Sequence, residues 1–189
     1  MSLENRSDSS NKKNKVFKEF LIYAIVVMAA IVSATLIRVF VIEPFIVPTP
    51  SMEPSLNVGD KVLINKLSYK FTSVKRGDII AFHSPIEEKD LVKRVIAVEG
   101  DEITLTSEAE IYINGEKIVE EYLSGSQDVS YINQTMEIGN NEVFVMGDNR
   151  KNSLDSRFFG EIPEDDIFGK FILIYWPPSR WSFFGHNEF

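Results

Sequence analysis

The sequence predicts a mainly β protein: a membrane-anchored domain of antiparallel sheets preceded by one N-terminal transmembrane helix. Three observations predict it. A single apolar run near the N-terminus is long enough to cross a bilayer. A series of short apolar or alternating runs follows, each bounded by Gly, Asn, Asp or Pro. No convincing amphipathic helical pattern occurs among them.

Taken in order, residues 1–14 are polar and rich in Ser, Asn and Lys, which reads as a disordered tail. Lys12, Lys13, Lys15 and Lys18 crowd the approach to the apolar run. Residues 20–37 read FLIYAIVVMAAIVSATLI without a charge; Arg38 interrupts, and residues 39–42 continue. A buried core helix rarely runs this long without a polar face. A cleaved leader has a shorter apolar centre followed by small residues, and Glu43-Pro44-Phe45 is a poor cleavage site. The expected division is a cytoplasmic basic tail over 1–18, a transmembrane helix over 19–42 and an extracytoplasmic β-rich domain over 43–189. The lysines before the span place the N-terminus in the cytoplasm by the positive-inside rule.

Within 43–189 the expected strands are 61–67 (KVLINKL), 78–82 (DIIAF), 91–98 (LVKRVIAV), 102–105, 142–146 (EVFVM) and 169–176 (GKFILIYW). Residues 111–119 read IYINGEKIV, a hairpin turning on Asn114-Gly115. Residues 120–141 are polar and weakly patterned, and read as a surface excursion. The aromatics Tyr175, Trp176, Trp181, Phe183 and Phe184 suit either a membrane interface or the packing of a last strand.

Composition narrows the chemistry. The 189 residues leave about 145 for one domain after the anchor, enough for a real core. A net charge of -8 argues against nucleic acid as a partner. With no cysteine there is no disulfide, thiolate metal site or cysteine nucleophile. His83 and His186 lie far apart, with no ligand spacing around either, so neither a metal nor another cofactor is expected.

Three stretches carry candidate chemistry. Pro48-Thr49-Pro50-Ser51-Met52-Glu53-Pro54 is too proline-rich for a helix. It is either a stiff stalk or a rigid mount for a Ser51 nucleophile. Lys93 shares a strand face with Leu91, Val95 and Ala97. If that face is buried, desolvation lowers its pKa and makes it a general base; otherwise it snorkels from an edge strand. Residues 146–160, MGDNRKNSLDSRFFG, are either a solvated turn or a loop that braces a site by charge-assisted hydrogen bonds.

In this order and spacing the apolar anchor, PTPSMEPSL (48–56), GDIIAF (77–82), LVKRVIAVEGD (91–101) and MGDNRKNSLDSRFFG (146–160) resemble type I signal peptidases, in the compact form typical of Gram-positive bacteria. The resemblance runs from Lys18 to the end. It implies a membrane-bound serine endopeptidase that removes signal peptides from secretory preproteins after small residues of the A-x-A kind. It implies Ser51 as nucleophile and Lys93 as general base. Ser153 would orient the lysine amine, and the Thr49 hydroxyl would support the oxyanion hole beside the Ser51 N–H. Asp155 and Arg157 would brace the site, with Asp148, Asn149 and Arg150 at the structural start of the same loop. Pro50 stands where many relatives carry glycine and cannot donate a backbone hydrogen bond. The implied partners are preproteins and the lipid bilayer, with the domain on the extracellular side of a bacterial cell membrane.

The rival reading is a non-catalytic, membrane-tethered β domain that binds secreted proteins. The soluble self-cleaving repressors of the bacterial stress response share a Ser–Lys mechanism but carry a DNA-binding segment, which the anchor and acidic charge disfavour. A Ser-His-Asp hydrolase would need His83 or His186 near Ser51, and no G-x-S-x-G surrounds that serine.

Overall fold

The computed structural model describes residues 4–123 and 130–184, with side chains from residue 15 onward, and falls into two units, Met1–Val41 and Ile42–Phe189. The first unit is one helix, α1 (Glu4–Phe40). It begins inside the stretch expected to be a disordered tail. No Gly or Pro lies between residues 4 and 40 to interrupt helix propagation. Its part Lys15–Phe40, 26 residues, is long and apolar enough to cross a membrane; at 1.5 Å per residue it is about 39 Å long. The helix stops two residues short of the expected boundary. Pro44 biases the residue before it to extended backbone, and the chain is already a strand at Ile42.

The second unit begins with β1 (Ile42–Ile46), which sequence patterning missed. Then come β2 (Lys61–Asn65), the short helix α2 (Ser68–Phe71), β3 (Ile79–His83), β4 (Asp90–Val98) and β5 (Glu102–Leu105). The hairpin β6 (Ile111–Ile113) and β7 (Glu116–Lys117) turns on Asn114 and Gly115, at φ +54° and +82°. Two successive positive φ values match the twist of a two-residue hairpin, which is why Asn-Gly occupies it. β8 (Gln134–Glu137), β9 (Glu142–Met146), the single turn α3 (Ser156–Phe159), β10 (Ile162–Pro163), β11 (Ile167–Trp176) and β12 (Ser182–Phe183) complete the described residues.

Among the described residues the strands form two antiparallel sheets. The larger runs β1-β2-β11-β3-β4-β9-β10, with β12 on β11; the smaller runs β7-β6-β5-β8. The stretch 120–141 is not wholly a surface excursion. Its β8 pairs with β5, and Tyr131 and Ile138 are buried against Ile103, Ile113 and Phe144. Residues 124–129 of that stretch lie outside the described residues.

β4 is the spine of the larger sheet and is buried on both faces. The expected alternation fails near its end. A register irregularity between Val95 and Ala97 puts Ile96 and Ala97 into the same apolar cluster, while Val95 packs with Ile80, Phe82 and Val145. A third cluster, Val47, Met52, Leu56, Val62, Ile64 and Phe171 among others, surrounds the residues flanking Ser51. At the C-terminus the aromatics divide. Phe184 packs edge-on to Phe171, ring centres 6.0 Å apart, whereas Trp176, Trp181 and Phe183 are exposed.

Candidate active site

Ser51 sits in a 3-10 turn, Pro50–Met52, whose first residue is a proline at a position that needs no N–H. The apolar residues on either side, Val47, Met52 and Leu56, are buried and anchor the turn to the core. Main-chain bonds close the loop that follows: Val47 N donates to Asp60 O (3.0 Å), Gly59 N to Val47 O (2.9 Å) and Leu56 N to Met52 O (2.8 Å). Arg180 latches the same loop from the C-terminal segment. Its Nε donates to both Asp60 carboxylate oxygens at 3.1 Å and its Nη2 to Ser55 O at 3.2 Å.

Lys93 reaches this turn from β4. Its Nζ donates to Ser51 Oγ at 2.8 Å and to Val92 O at 3.0 Å, and the residue is 2% exposed. Burial lowers its pKa from 10.5 to about 8, against the opposing pull of Asp155 and Asp148; Lys89 and Arg157 push the same way as burial. Of the two roles open to Lys93 in the sequence, a buried amine and a snorkelling edge residue, the environment is that of the first. Thr49 Oγ1 lies 3.3 Å from Ser51 Oγ. His83 pairs instead with Asp90 (2.8 Å) and stacks on Phe168; His186 lies outside the described residues.

The loop after β9 holds the Ser51 turn by its carbonyls. Asn149 N donates to Ser51 O (3.0 Å) and Asn149 Nδ2 to Pro50 O (3.1 Å). Asp148 forks onto Arg94 through two bonds of 2.9 and 2.8 Å. Burial alone would lower the Arg94 pKa, but the Asp148 carboxylate outweighs it and keeps the guanidinium above its ordinary value. Asp155, fully buried, accepts from Gly147 N (2.9 Å) and from Arg157 Nε and Nη2 (2.7 and 2.8 Å), and caps α3. Gly147 is there because nothing larger fits: a Cβ would lie 2.2 Å from Ser153 Oγ and 2.5 Å from Ser51 O.

Ser153 therefore stands beside the Ser51 turn, but its buried Oγ makes no hydrogen bond, to the Lys93 amine or to any other described group. Asp155 and Arg157 brace the loop and do not bond to Ser51 or Lys93. Sequence patterning gave no role to Arg94, Glu120, Tyr122 or Arg180. The signal for Arg94 was its place beside Lys93 on a strand with two buried faces; the other three carry no local signal.

A cavity of about 270 Å³ opens over the pair, with Phe45, Val47, Leu91, Val92 and Leu154 among its lining. Along it, among the described residues, Asp90–Lys93 pair with β3 on one side only, since β9 joins β4 from Arg94 onward. That leaves a length of strand edge free beside Ser51, able to take an extended peptide.

Comparison with known proteins is extensive. Residues 19–176 match a family described as signal peptidase, peptidase S26. A probable signal peptidase I-1 from Synechocystis is 38% identical over 86% of this chain and 85% of its own. A signal peptidase I from Bacillus caldolyticus is 37% identical, over 82% and 91%. A signal peptidase IB from Staphylococcus aureus is 33% identical, over 90% and 95%.

Proposed function

The chain belongs to the signal peptidase family, peptidase S26, and on that premise we propose that it removes signal peptides from secretory preproteins by acyl transfer, with Ser51 as nucleophile and Lys93 as general base. The observation that carries the reading is the 2.8 Å bond between Lys93 Nζ and Ser51 Oγ, made by a buried amine whose pKa is lowered to about 8. At pH 7 about one such lysine in ten is neutral, enough to supply a base without histidine.

In the acylation step the neutral amine takes the Ser51 proton as Oγ attacks the scissile carbonyl. The Ser51 N–H and the Thr49 hydroxyl receive the developing oxyanion, each such donor being worth about 2.7–4 kcal/mol. The lysine ammonium then protonates the leaving amine, and the neutral amine activates water to release the acyl group. Asn149 holds the Pro50 and Ser51 carbonyls, and Asp155 with Arg157 fixes the loop that carries Asn149. The family resemblance assigns Ser153, which packs beside Gly147, the orienting of the amine.

The substrate lies extended along the free edge of Asp90–Lys93. The modest, largely apolar cavity favours small side chains before the cut, of the A-x-A kind. The helix within Lys15–Phe40 anchors the enzyme in the membrane, and the lysines ahead of it keep the N-terminus cytoplasmic and the domain after residue 43 outside.

The test is cleavage of a purified secretory precursor by the full chain in detergent, comparing wild type, Ser51→Ala and Lys93→Ala after each is shown to be folded. Cleavage after an A-x-A site, reduced at least a thousandfold by either substitution, is the expected outcome. Undiminished cutting by Ser51→Ala would remove the nucleophile from the mechanism. An inert wild type would favour the tethered binding domain.

A further inference from the structure

Two arginines are buried behind the Ser51–Lys93 pair. Arg94, 2% exposed, follows Lys93 on β4; Arg150, 3% exposed, belongs to the loop after β9. Each needs a counter-charge, because an unpaired cation in such a site is strongly disfavoured. Asp148 serves Arg94. The partner of Arg150 comes from elsewhere in the chain. Glu120 accepts from both Arg150 Nη1 (2.8 Å) and Arg150 Nη2, and Tyr131 OH is a third contact at 3.1 Å.

Two residues on, Tyr122 lies between the two arginines. Its ring covers the Arg94 guanidinium, with Cζ 3.7 Å from the ring centre. Its hydroxyl donates to Glu120 and accepts from Arg150 Nη2 (3.3 Å). Burial and the Glu120 carboxylate both raise the Tyr122 pKa, so the hydroxyl keeps its proton and remains a donor. A segment expected to be loose surface thus supplies the anion for one buried arginine and the ring for the other.

We propose that Glu120 and Tyr122 are positioning residues for the reaction: a strap whose carboxylate and ring lock Arg150 and Arg94, and through them the loop and strand that present Ser51 and Lys93. The inference rests on the Ser51–Lys93 reading above. The path is short. Arg150 Nε donates to Gly147 O at 3.1 Å, and Gly147 packs against the Ser51 carbonyl. Asn149, between Arg150 and Asp148, holds the Pro50 and Ser51 carbonyls. Arg94 is tied to Ser55 Oγ (3.3 Å), four residues after Ser51, and to Gly77 O (3.0 Å). A displacement of about 1 Å at such a site costs up to about a hundredfold in rate.

The charged groups that act on the Lys93 amine are Asp155 and Asp148, which favour its ammonium, and Lys89 and Arg157, which oppose it. Neutralising Glu120 leaves Arg150 as an added, unbalanced cation behind them. That favours the free amine and moves the acid limb of the pH–rate profile to lower pH.

The experiment uses the full chain in detergent with a precursor peptide containing an A-x-A site. Wild type, Glu120→Gln, Tyr122→Leu and Tyr122→Phe are compared by kcat, KM and the pH dependence of kcat/KM. Glu120→Gln is expected to lower kcat at least tenfold, with KM within about twofold and the acid limb displaced downward. Tyr122→Leu is expected to lower kcat at least fivefold, and Tyr122→Phe, which keeps the ring over Arg94, to recover at least half of it. If Glu120→Gln does not fold, Glu120→Gln/Arg150→Met removes the stranded cation and restores folding; kcat stays at least tenfold low because Gly147 O has lost its Arg150 bond. Wild-type kcat and pH profile in the folded Glu120→Gln or double variant would overturn the strap. If Ser51→Ala retains activity, the failure lies instead with the assignment of the nucleophile.

Discussion

Replacing Lys93 by methionine should make the protein more stable at neutral pH while abolishing activity. The pKa fall from 10.5 to about 8, at about 1.4 kcal/mol per pH unit, means that holding the ammonium in this site costs about 3 kcal/mol. Methionine fills a similar volume without a charge. It forgoes the bonds from Nζ to Ser51 Oγ and Val92 O, together about 1–2 kcal/mol. The balance at pH 7 is about 1–2 kcal/mol in favour of Lys93→Met. Below pH 8 the lysine is protonated in both the folded and the unfolded chain, so its full cost stands. Between about 8 and 10.5 the unfolded lysine keeps a proton that the folded one has lost, and wild-type stability rises with pH across that window. Lys93→Met lacks that rise. The difference between the two proteins should therefore shrink from pH 8 upward and reverse by about pH 10.5. Urea unfolding of the full chain in detergent, followed by tryptophan fluorescence at intervals from pH 7 to 10.5, measures it. A difference that stays flat within about 0.5 kcal/mol over that range would mean that Lys93 is not desolvated, and the case for it as a base near neutrality would go with it.

Two further outcomes follow from the loop behind the pair. Gly147→Ala places a methyl group 2.2 Å from Ser153 Oγ and 2.5 Å from Ser51 O, so the nucleophile turn must move; kcat on a precursor peptide should fall by about a hundredfold. Asp148→Asn leaves the buried Arg94 without its carboxylate and should lower stability by about 3–5 kcal/mol, read as a fall in the urea midpoint.

The sequence was most legible where local chemistry decides structure. The alternating run at 102–105 and the apolar run at 142–146 became β5 and β9 with the expected bounds, and Asn114-Gly115 made its hairpin. β1 was hidden because its apolar residues continue the helical run, and only pairing with β2 separates them. β8 was hidden because Gln134 to Glu137 is polar and only partly buried; it is a strand by virtue of its bonds to β5. At the site, the placement of Lys93 on a strand could be read directly; the proline-rich stretch, expected to be extended and non-helical, instead carries Ser51 on a single 3-10 turn, which a proline at its first position permits. The convergence of Asn149 on the Ser51 turn, and of Glu120 and Tyr122 on two arginines, could not be read. Those contacts join residues about a hundred and about thirty positions apart, where periodicity carries no information.

Lys93 and Arg94 are neighbours on β4 whose side chains have different destinations, one to Ser51 and the other to Asp148. The pairings Ile80↔Lys93 and Arg94↔Met146 decide which goes where, and the irregularity between Val95 and Ala97 pins them. A slip of one residue would turn each side chain to the opposite face. Ser51 would then meet a guanidinium, which never surrenders its proton and cannot serve as a base. A chain paired out of step is therefore silent, not misdirected. Under the Ser51–Lys93 reading, activity requires the sheet to be paired in its final register.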